Sequence, residues 1–174
     1  RNPNNPLAPM SHYLTHFPKD PCCEICNRCR LQKKSCRKRI SNLESSDWRN
    51  PTAFADLVTA DHMIISDSRT PENESKHQDK VAVVIQDWCT KWIDSIPCKS
   101  KSGEDSLIAM KLYLGPSVTP KSIYSDISCE LKFTAKSLGL PPTTCTPHVP
   151  QTNDIAENSV RRVKEGTSCM LLQS

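Results

Sequence analysis

The stretch HVPQTNDIAENSVRRVKEGTS, from His148 to Ser168, limits the possible folds of this chain more than any other. At about 100° per residue, Ala156, Val160, Val163 and Thr167 fall within one narrow apolar stripe. Such a stripe is what a surface helix buries against the rest of a protein. The sequence therefore predicts a long amphipathic helix that begins at about residue 153.

A second face of this predicted helix carries Glu157, Arg161 and Lys164, at positions i, i+4 and i+7. A carboxylate at the head of a helix, with two cations below it, suits an enzyme that holds a divalent metal and binds a phosphate backbone. The same pattern is also typical of a solvated helix with an ordinary Glu–Arg pair. The helix alone leaves both interpretations open.

Histidines and cysteines near the amino terminus have the spacing of a structural zinc module. His12 and His16, at i and i+4, would share one face of a helix, and Cys23 and Cys26 form a CxxC turn. Together they supply a tetrahedral set of two histidines and two cysteines for Zn²⁺. Other nearby cysteines keep the ligand choice open, namely Cys22, Cys29 and Cys36. A thiol-rich linker without metal is the alternative.

Basic side chains are concentrated in the first part of the chain. Residues 1–39 contain nine Lys or Arg against two Asp or Glu, although the whole chain carries a net charge of only +4. This distribution predicts a polyanionic partner, nucleic acid first, with a basic tail that has no dedicated ligand as the alternative. The predicted phosphate contacts in the basic run are Lys33, Lys34, Arg37 and Lys38.

The length of 174 residues and a hydrophobic fraction of 36% allow one mid-sized domain and a small appendage. We predict a disordered lead-in over 1–11, a zinc-binding module with its basic run over 12–40, a linker over 41–52 and a core over 53–174 that is truncated at its C-terminus. No apolar run is long enough to span a bilayer, and no signal-peptide pattern is present. Single cysteines scattered outside the cluster favour a reducing, intracellular location.

The core region is first rich in strand patterns and then alternates strands with helices, which predicts an α/β layer architecture. Strands are predicted over 54–65, 81–87, 90–98, 121–126 and about 142–146, and helices over 102–114, about 129–138 and from about 153. The continuous apolar run VAVVIQD at 81–87 is typical of a strand buried on both faces. His62 would point away from the face that carries Asp61, so we predict a packed or hydrogen-bonded histidine. Asp56 and Asp87 are predicted to be structural or exposed.

Four phrases in this order resemble the catalytic core of retroviral and LTR-retrotransposon integrases. They are VTADHMI, DWCTKWIDSIPCKSK, IYSD and TPHVPQTNDIAENSVRRVKEG, and the last is similar to the PQTNG-x-AE-x-x-VRR-x-K signature of retroelement polyproteins. The likeness covers about residues 12–174. It implies an RNase H-like mixed five-stranded sheet flanked by helices, preceded by a small His/Cys zinc-binding module, in a fragment of a Pol polyprotein.

The resemblance also implies a catalytic triad. Asp61, Asp126 and Glu157 correspond to the D-D-E residues that hold two Mg²⁺ or Mn²⁺ ions in these integrases. Hard carboxylate oxygens suit two closely spaced ions that promote in-line phosphoryl transfer.

By the same resemblance, the cations that follow the glutamate contact DNA. Four and seven residues after Glu157 these are Arg161 and Lys164, and we include their neighbour Arg162. The implied reaction is 3′-end processing and strand transfer of element DNA into target DNA. The implied enzyme is a homo-oligomer, located in the nucleus or in a virus-like particle.

Two loops near the predicted triad depart from the family pattern. Ser125-Asp126-Ile127-Ser128 stands where the family has SDNG, and Asp154 replaces the glycine of PQTNG. An extra carboxylate near Glu157 would repel negative charge at the metal site. The alternatives are therefore a catalytically inactive, nucleic-acid-binding remnant of a mobile element, or a related DDE transposase or nuclease.

Overall fold

A computed structural model describes residues 9–29, 51–65, 75–125, 128–140, 143–144 and 154–174. Its contacts divide the chain into two compact units. The first, here called the His/Cys unit, combines Arg1–Leu43 with Arg161–Ser174, and the second, the sheet unit, is Glu44–Val160. The domain boundaries expected from the sequence stay a prediction.

Two short helices lie in the amino-terminal part of the His/Cys unit. Helix α1 is His12–Thr15 and helix α2 is Glu24–Cys29. His16 caps α1 in the left-handed conformation, with φ of 52°. The expectation that both histidines share a helical face is therefore wrong in detail, because the helix ends one residue before His16 and the chain turns there.

The sheet unit is built on five strands in the order β3-β2-β1-β4-β5. They are β1 Val58–Ile64, β2 Val81–Asp87, β3 Ile93–Cys98, β4 Ile123–Ser125 and β5 Thr143–Thr144. Strands β1, β2 and β3 pair antiparallel, whereas β4 runs parallel to both β1 and β5. A mixed five-stranded sheet is thus present, as the resemblance implies.

One face of the sheet carries the main apolar core. Helices α3, Gly103–Leu114, and α4, Cys129–Ser137, cover this face. Alternate strand residues point to it, and they pack with side chains from both helices such as Met110 and Leu131. The strand residues of this core include Val58, Ala60, Val83, Ile85 and Ile123.

The opposite face of the sheet combines polar side chains with apolar ones such as Val84 and Tyr124. Thr59 pairs with both Gln86 and Tyr124, and Asp61 pairs with Val84, so alternation places these five residues on the same face. Helix α5, Asp154–Gln173, begins over this face. There the buried Ser159 hydroxyl donates a hydrogen bond to the buried side-chain oxygen of Gln86. We call this face of the sheet, which carries Thr59, Asp61 and Gln86, the polar face.

Local sequence signals explain the ends of helix α3. The Ser102 hydroxyl accepts a hydrogen bond from the Asp105 amide at 3.0 Å, and Gly115 follows the last turn with φ of 77°. Serine is a preferred N-cap, and glycine tolerates positive φ at a helix end. The predicted helix over 102–114 is therefore confirmed.

The predicted strand over 54–65 is wrong at its start, because β1 begins only at Val58. The preceding residues form a turn held by Asp56, whose carboxylate accepts hydrogen bonds from the Thr52 and Ala53 amides at 2.9 Å each. Lys121 Nζ lies 2.6 Å from the same carboxylate. Asp56 is structural, as predicted, because a carboxylate that collects backbone donors favours a turn over an extended strand.

Asp87 organises the turn between β2 and β3 from a fully buried position. Its carboxylate accepts hydrogen bonds from the Ala55 amide at 2.9 Å and from the Thr90 amide and hydroxyl at 2.6 and 2.7 Å. The predicted structural role of this residue is confirmed.

None of the helices in the described ranges combines the length and the apolar character needed to cross a bilayer.

Candidate functional site

His12, His16, Cys23 and Cys26 form a buried cluster in the His/Cys unit. One potential ligand atom from each residue lies within 4.8 Å of all the others. His12 Nε2 is 3.2 Å from the Cys26 sulfur, and His16 Nδ1 is 3.6 and 3.7 Å from the sulfurs of Cys23 and Cys26. These are the four residues that the sequence spacing indicates.

The separations fit a tetrahedral metal centre. Zinc bonds of about 2.3 Å to sulfur and about 2.0 Å to nitrogen place neighbouring ligand atoms roughly 3.3–3.8 Å apart. The three separations between ligand atoms, 3.2, 3.6 and 3.7 Å, lie at or close to that range. A set of two imidazoles and two thiols also binds zinc in preference to harder cations such as Mg²⁺ or Ca²⁺. This buried cluster could therefore bind zinc with little rearrangement.

Burial raises the pKa of the Cys26 thiol above its ordinary value, and the neighbouring Cys23 and Cys169 raise it further. A zinc ion binds the thiolate, so loading the cluster would displace a proton from this buried sulfur.

The other cysteines of the described segment have different contacts. Cys29 Sγ donates to the backbone carbonyl of Ser168 at 3.4 Å, and the Cys22 amide donates to Asp20 at 2.7 Å. None of the cysteines in the described ranges forms a disulfide. Cys36 lies outside those ranges.

The last turns of α5 belong to the same unit, which the sequence did not predict. His16 Nε2 is 2.6 Å from Gln173 Oε1, and the Arg162 guanidinium lies 4.3 Å from the centre of the Phe17 ring. Cys169 is fully buried. Cys169 lies on a different side of the helix from the predicted apolar stripe, so the stripe did not indicate this packing, and no local signal identifies Gln173.

The first predicted triad residue, Asp61, lies in the middle of β1 on the polar face. It is half-buried, and its Oδ1 accepts a hydrogen bond from the His62 amide at 2.7 Å. His62 points to the other face, where its Nε2 lies 2.9 Å from the Ser106 hydroxyl on α3. The prediction of a hydrogen-bonded histidine on the opposite side is confirmed.

Glu157 is exposed on the first turns of α5, two residues before Ser159. Asp126 lies outside the described residues, directly after Ser125, the last residue of β4. Ser125 pairs with Ala60, which directly precedes Asp61. The roles of the three carboxylates as a triad stay a prediction.

The burial of α5 differs in part from the predicted stripe. Ala156 is buried and Val160 and Val163 are half-buried, but Thr167 is exposed, so its place in the stripe is wrong. Ser159 is buried instead, and its single hydroxyl hydrogen lies between two acceptors, the side-chain oxygen of Gln86 and the Ile155 carbonyl, the latter at 2.8 Å. The glutamine within the apolar run VAVVIQD was the signal that could have revealed this contact.

The predicted DNA-contacting cations have different surroundings. Arg161 and Lys164 are exposed, whereas Arg162 is half-buried against Phe17. The remaining members of the set lie outside the described residues, namely Lys33, Lys34, Arg37 and Lys38.

No family model matches the chain, and no curated protein matches it. Among solved structures, it is similar to the catalytic core domain of BIV integrase in crystal form I. The match covers 69% of this chain and 74% of that chain, with a TM-score of 0.47 and 15% sequence identity.

Proposed function

We propose that this chain is an integrase fragment of an LTR-type retroelement, with an RNase H-like core and a zinc-binding module. It would catalyse metal-dependent phosphoryl transfer on DNA, namely 3′-end processing and strand transfer, as a homo-oligomer in the nucleus or in a virus-like particle. The observation that carries the proposal is the position of Asp61 on the polar face, the face that the helix carrying Glu157 contacts through the Ser159–Gln86 hydrogen bond.

The register of the sheet supports this arrangement. Ala60 and Ser125 are paired in adjacent parallel strands. Asp61 follows Ala60 in β1 and Asp126 follows Ser125 in the sequence, so we infer that a continuation of β4 by one residue would place the two aspartates side by side. Asp126 would then share the face of Tyr124 and Asp61, because side chains alternate along a strand.

In the proposed site, helix α5 would supply the third carboxylate. Ser159 is bonded to Gln86, and Gln86 pairs with Thr59, two residues before Asp61. Glu157 is less than one turn from Ser159 on the helix and is exposed, as a metal ligand that must also meet substrate would be.

Carboxylate oxygens on one face are the ligands that Mg²⁺ and Mn²⁺ prefer, and Asp61, Asp126 and Glu157 would hold such ions. Bound there, the metal pair supplies an activated oxygen nucleophile and stabilises charge on the leaving oxygen. The cationic side chains of Arg161 and Lys164 follow along α5 and would bind the DNA phosphates.

The decisive experiment is a Mn²⁺-dependent strand-transfer assay on a branched DNA that carries the element end. Glu157→Gln keeps the side-chain shape but removes the charge, and we expect its activity to fall to background. Glu104→Gln makes the same change at an exposed site on α3, the helix that covers the opposite face of the sheet, and should retain parental activity.

The assay also separates the alternatives. DNA binding by the parent without Mn²⁺-dependent strand transfer would overturn the integrase proposal in favour of an inactive remnant. Activity that ignores the element-end sequence would favour a transposase or nuclease of the same fold. Equal activities of the parent and Glu157→Gln would exclude this carboxylate from the chemistry.

A further inference from the structure

The zinc cluster has a partner outside the amino-terminal segment that supplies its ligands. Gln173, in the last turn of α5, contacts the imidazole of His16 across 157 positions of sequence. We propose that Gln173 is a positioning residue of the metal centre, holding His16 in the tautomer and orientation that bind zinc. The inference rests on the zinc site of the proposed function and deepens it.

The two nitrogens of His16 face different partners. Nδ1 faces the sulfurs of Cys23 and Cys26, at 3.6 and 3.7 Å, whereas Nε2 is 2.6 Å from Gln173 Oε1. A neutral imidazole that binds a metal through Nδ1 must carry its proton on Nε2. That N–H needs an acceptor, because His16 is fully buried, and the Gln173 carbonyl oxygen is at hydrogen-bonding distance.

An acceptor at this nitrogen fixes more than the position of a proton. It prevents rotation of the ring away from the two sulfurs, and it increases the basicity of Nδ1 toward the metal. His16 has a particular need for such support, because it lies just beyond α1 in a left-handed conformation and not within a helix. The hydrogen bond from His16 Nε2 to Gln173 compensates for the missing helical framework.

Two further contacts hold the end of α5 against the same segment. The Arg162 guanidinium stacks over Phe17, the residue after His16, with 4.3 Å to the ring centre. The Cys29 thiol donates to the Ser168 carbonyl at 3.4 Å. These contacts are spread over more than two turns of α5, so Gln173 is the terminal contact of a docked helix segment and not an isolated pair.

The test measures Zn²⁺ affinity of the full chain by competition with a chromophoric chelator. Gln173→Leu removes the acceptor while keeping a similar size, and we expect about tenfold weaker binding, at the lower end of the effect of losing such outer partners. Leu171→Ala is the matched control, because Leu171 is 71% exposed on the same final turns, and it should bind as the parent does.

Gln173→Glu distinguishes the direction of the hydrogen bond. A glutamine can donate or accept, but a carboxylate only accepts, so Gln173→Glu should retain parental affinity or exceed it if His16 Nε2 is the donor. The Co²⁺-loaded chain gives a second readout, since reorientation of His16 in Gln173→Leu should shift the ligand-field absorption bands.

The outcomes separate this inference from the proposed zinc site. A parent chain that binds neither Zn²⁺ nor Co²⁺ would overturn both. Zinc binding by the parent, with equal affinity in Gln173→Leu, would overturn the positioning role alone. Equally weakened binding in Gln173→Leu and Leu171→Ala would show that the end of α5 acts only as general packing, and would likewise overturn it.

Discussion

The His/Cys unit and the sheet unit maintain their structures by different means. In the described part of the His/Cys unit, the buried apolar cluster consists of Cys23 and Cys26, with Tyr13 and Ile25 partly buried against them. The sheet unit has a continuous core between one sheet face and two helices, with Met110, Ile123 and Leu131 among its buried side chains.

The difference shows how the same chain can depend on a metal in one region and on the hydrophobic effect in another. Small units cannot bury enough apolar surface to offset the conformational entropy lost on folding. In the described residues, the buried side chains of the His/Cys unit include the four candidate ligands, whereas those of the sheet unit are mainly apolar. Each unit should respond to a perturbation that the other tolerates.

Metal removal should give the largest separation between the units. Structural zinc contributes roughly 10–16 kcal/mol of apparent binding free energy in small zinc modules. We expect chelation, or the substitution Cys26→Ser, to abolish hydrogen-exchange protection in peptides from residues 9–29 and 161–173. Strands β1 and β2 should keep their protection in the same mass-spectrometry experiment. Loss of protection throughout the chain would contradict the division into separately stabilised units.

A cavity in the sheet core should give the converse effect. Met110 is fully buried, so Met110→Ala should lower the free energy of unfolding of the sheet unit by about 2–5 kcal/mol. Urea unfolding followed by tryptophan fluorescence would measure this change, and the zinc affinity should stay at the parental value.

Leu112→Ala is the control for Met110→Ala on the same helix. Leu112 is 67% exposed, so its truncation should change the free energy of unfolding by no more than about 0.5 kcal/mol. Equal effects of the two substitutions would contradict the assignment of the core to the inner face of α3.

The smallest expected effect concerns acid stability of the sheet unit. The hydrogen bond from Lys121, with those from Thr52 and Ala53, holds the pKa of Asp56 well below its ordinary value. A depressed folded-state pKa stabilises the fold above the unfolded-state pKa of about 4, and this stabilisation is lost as the pH falls through the folded-state value. Asp56→Asn should therefore be less stable than the parent at pH 7, and the difference should shrink below about pH 4.

The effect of Asp56→Asn should be modest because Lys121 is largely exposed and water screens the ion pair. Thermal unfolding of the parent and the variant across this pH range would measure it. A stability difference that stayed constant with pH would show that the asparagine side chain disrupts the turn, and that the loss of the carboxylate charge is not the cause.

Much of the sheet unit could be predicted from local sequence. The apolar run at 81–87 predicted β2 with its bounds, and Ser102 and Gly115 predicted the ends of α3. These signals succeed because period, capping and positive φ act over a few residues. The predicted start of β1 is wrong because the Asp56 carboxylate accepts hydrogen bonds from backbone amides that an extended strand would otherwise use.

The candidate sites divide in the same way. The spacing of His12, His16, Cys23 and Cys26 indicated the cluster that the structure brings together. The sequence did not predict the polar contacts near either site. These are the Ser159–Gln86 hydrogen bond on the polar face and the contact of Gln173 with His16 in the zinc cluster. A hydrogen bond between residues distant in sequence leaves no periodic trace in either segment.

The sequence by itself determined the elements of this protein and the residue types available for metal binding. Strand and helix periods, cap residues and ligand spacing are local properties, and each is readable within one segment. Only the tertiary structure decided that Asp61 and the first turns of α5 share one sheet face, and that the last turns of α5 reach His16. Those arrangements depend on the register of the strands and on where a long helix ends, which is determined by packing between segments rather than within them.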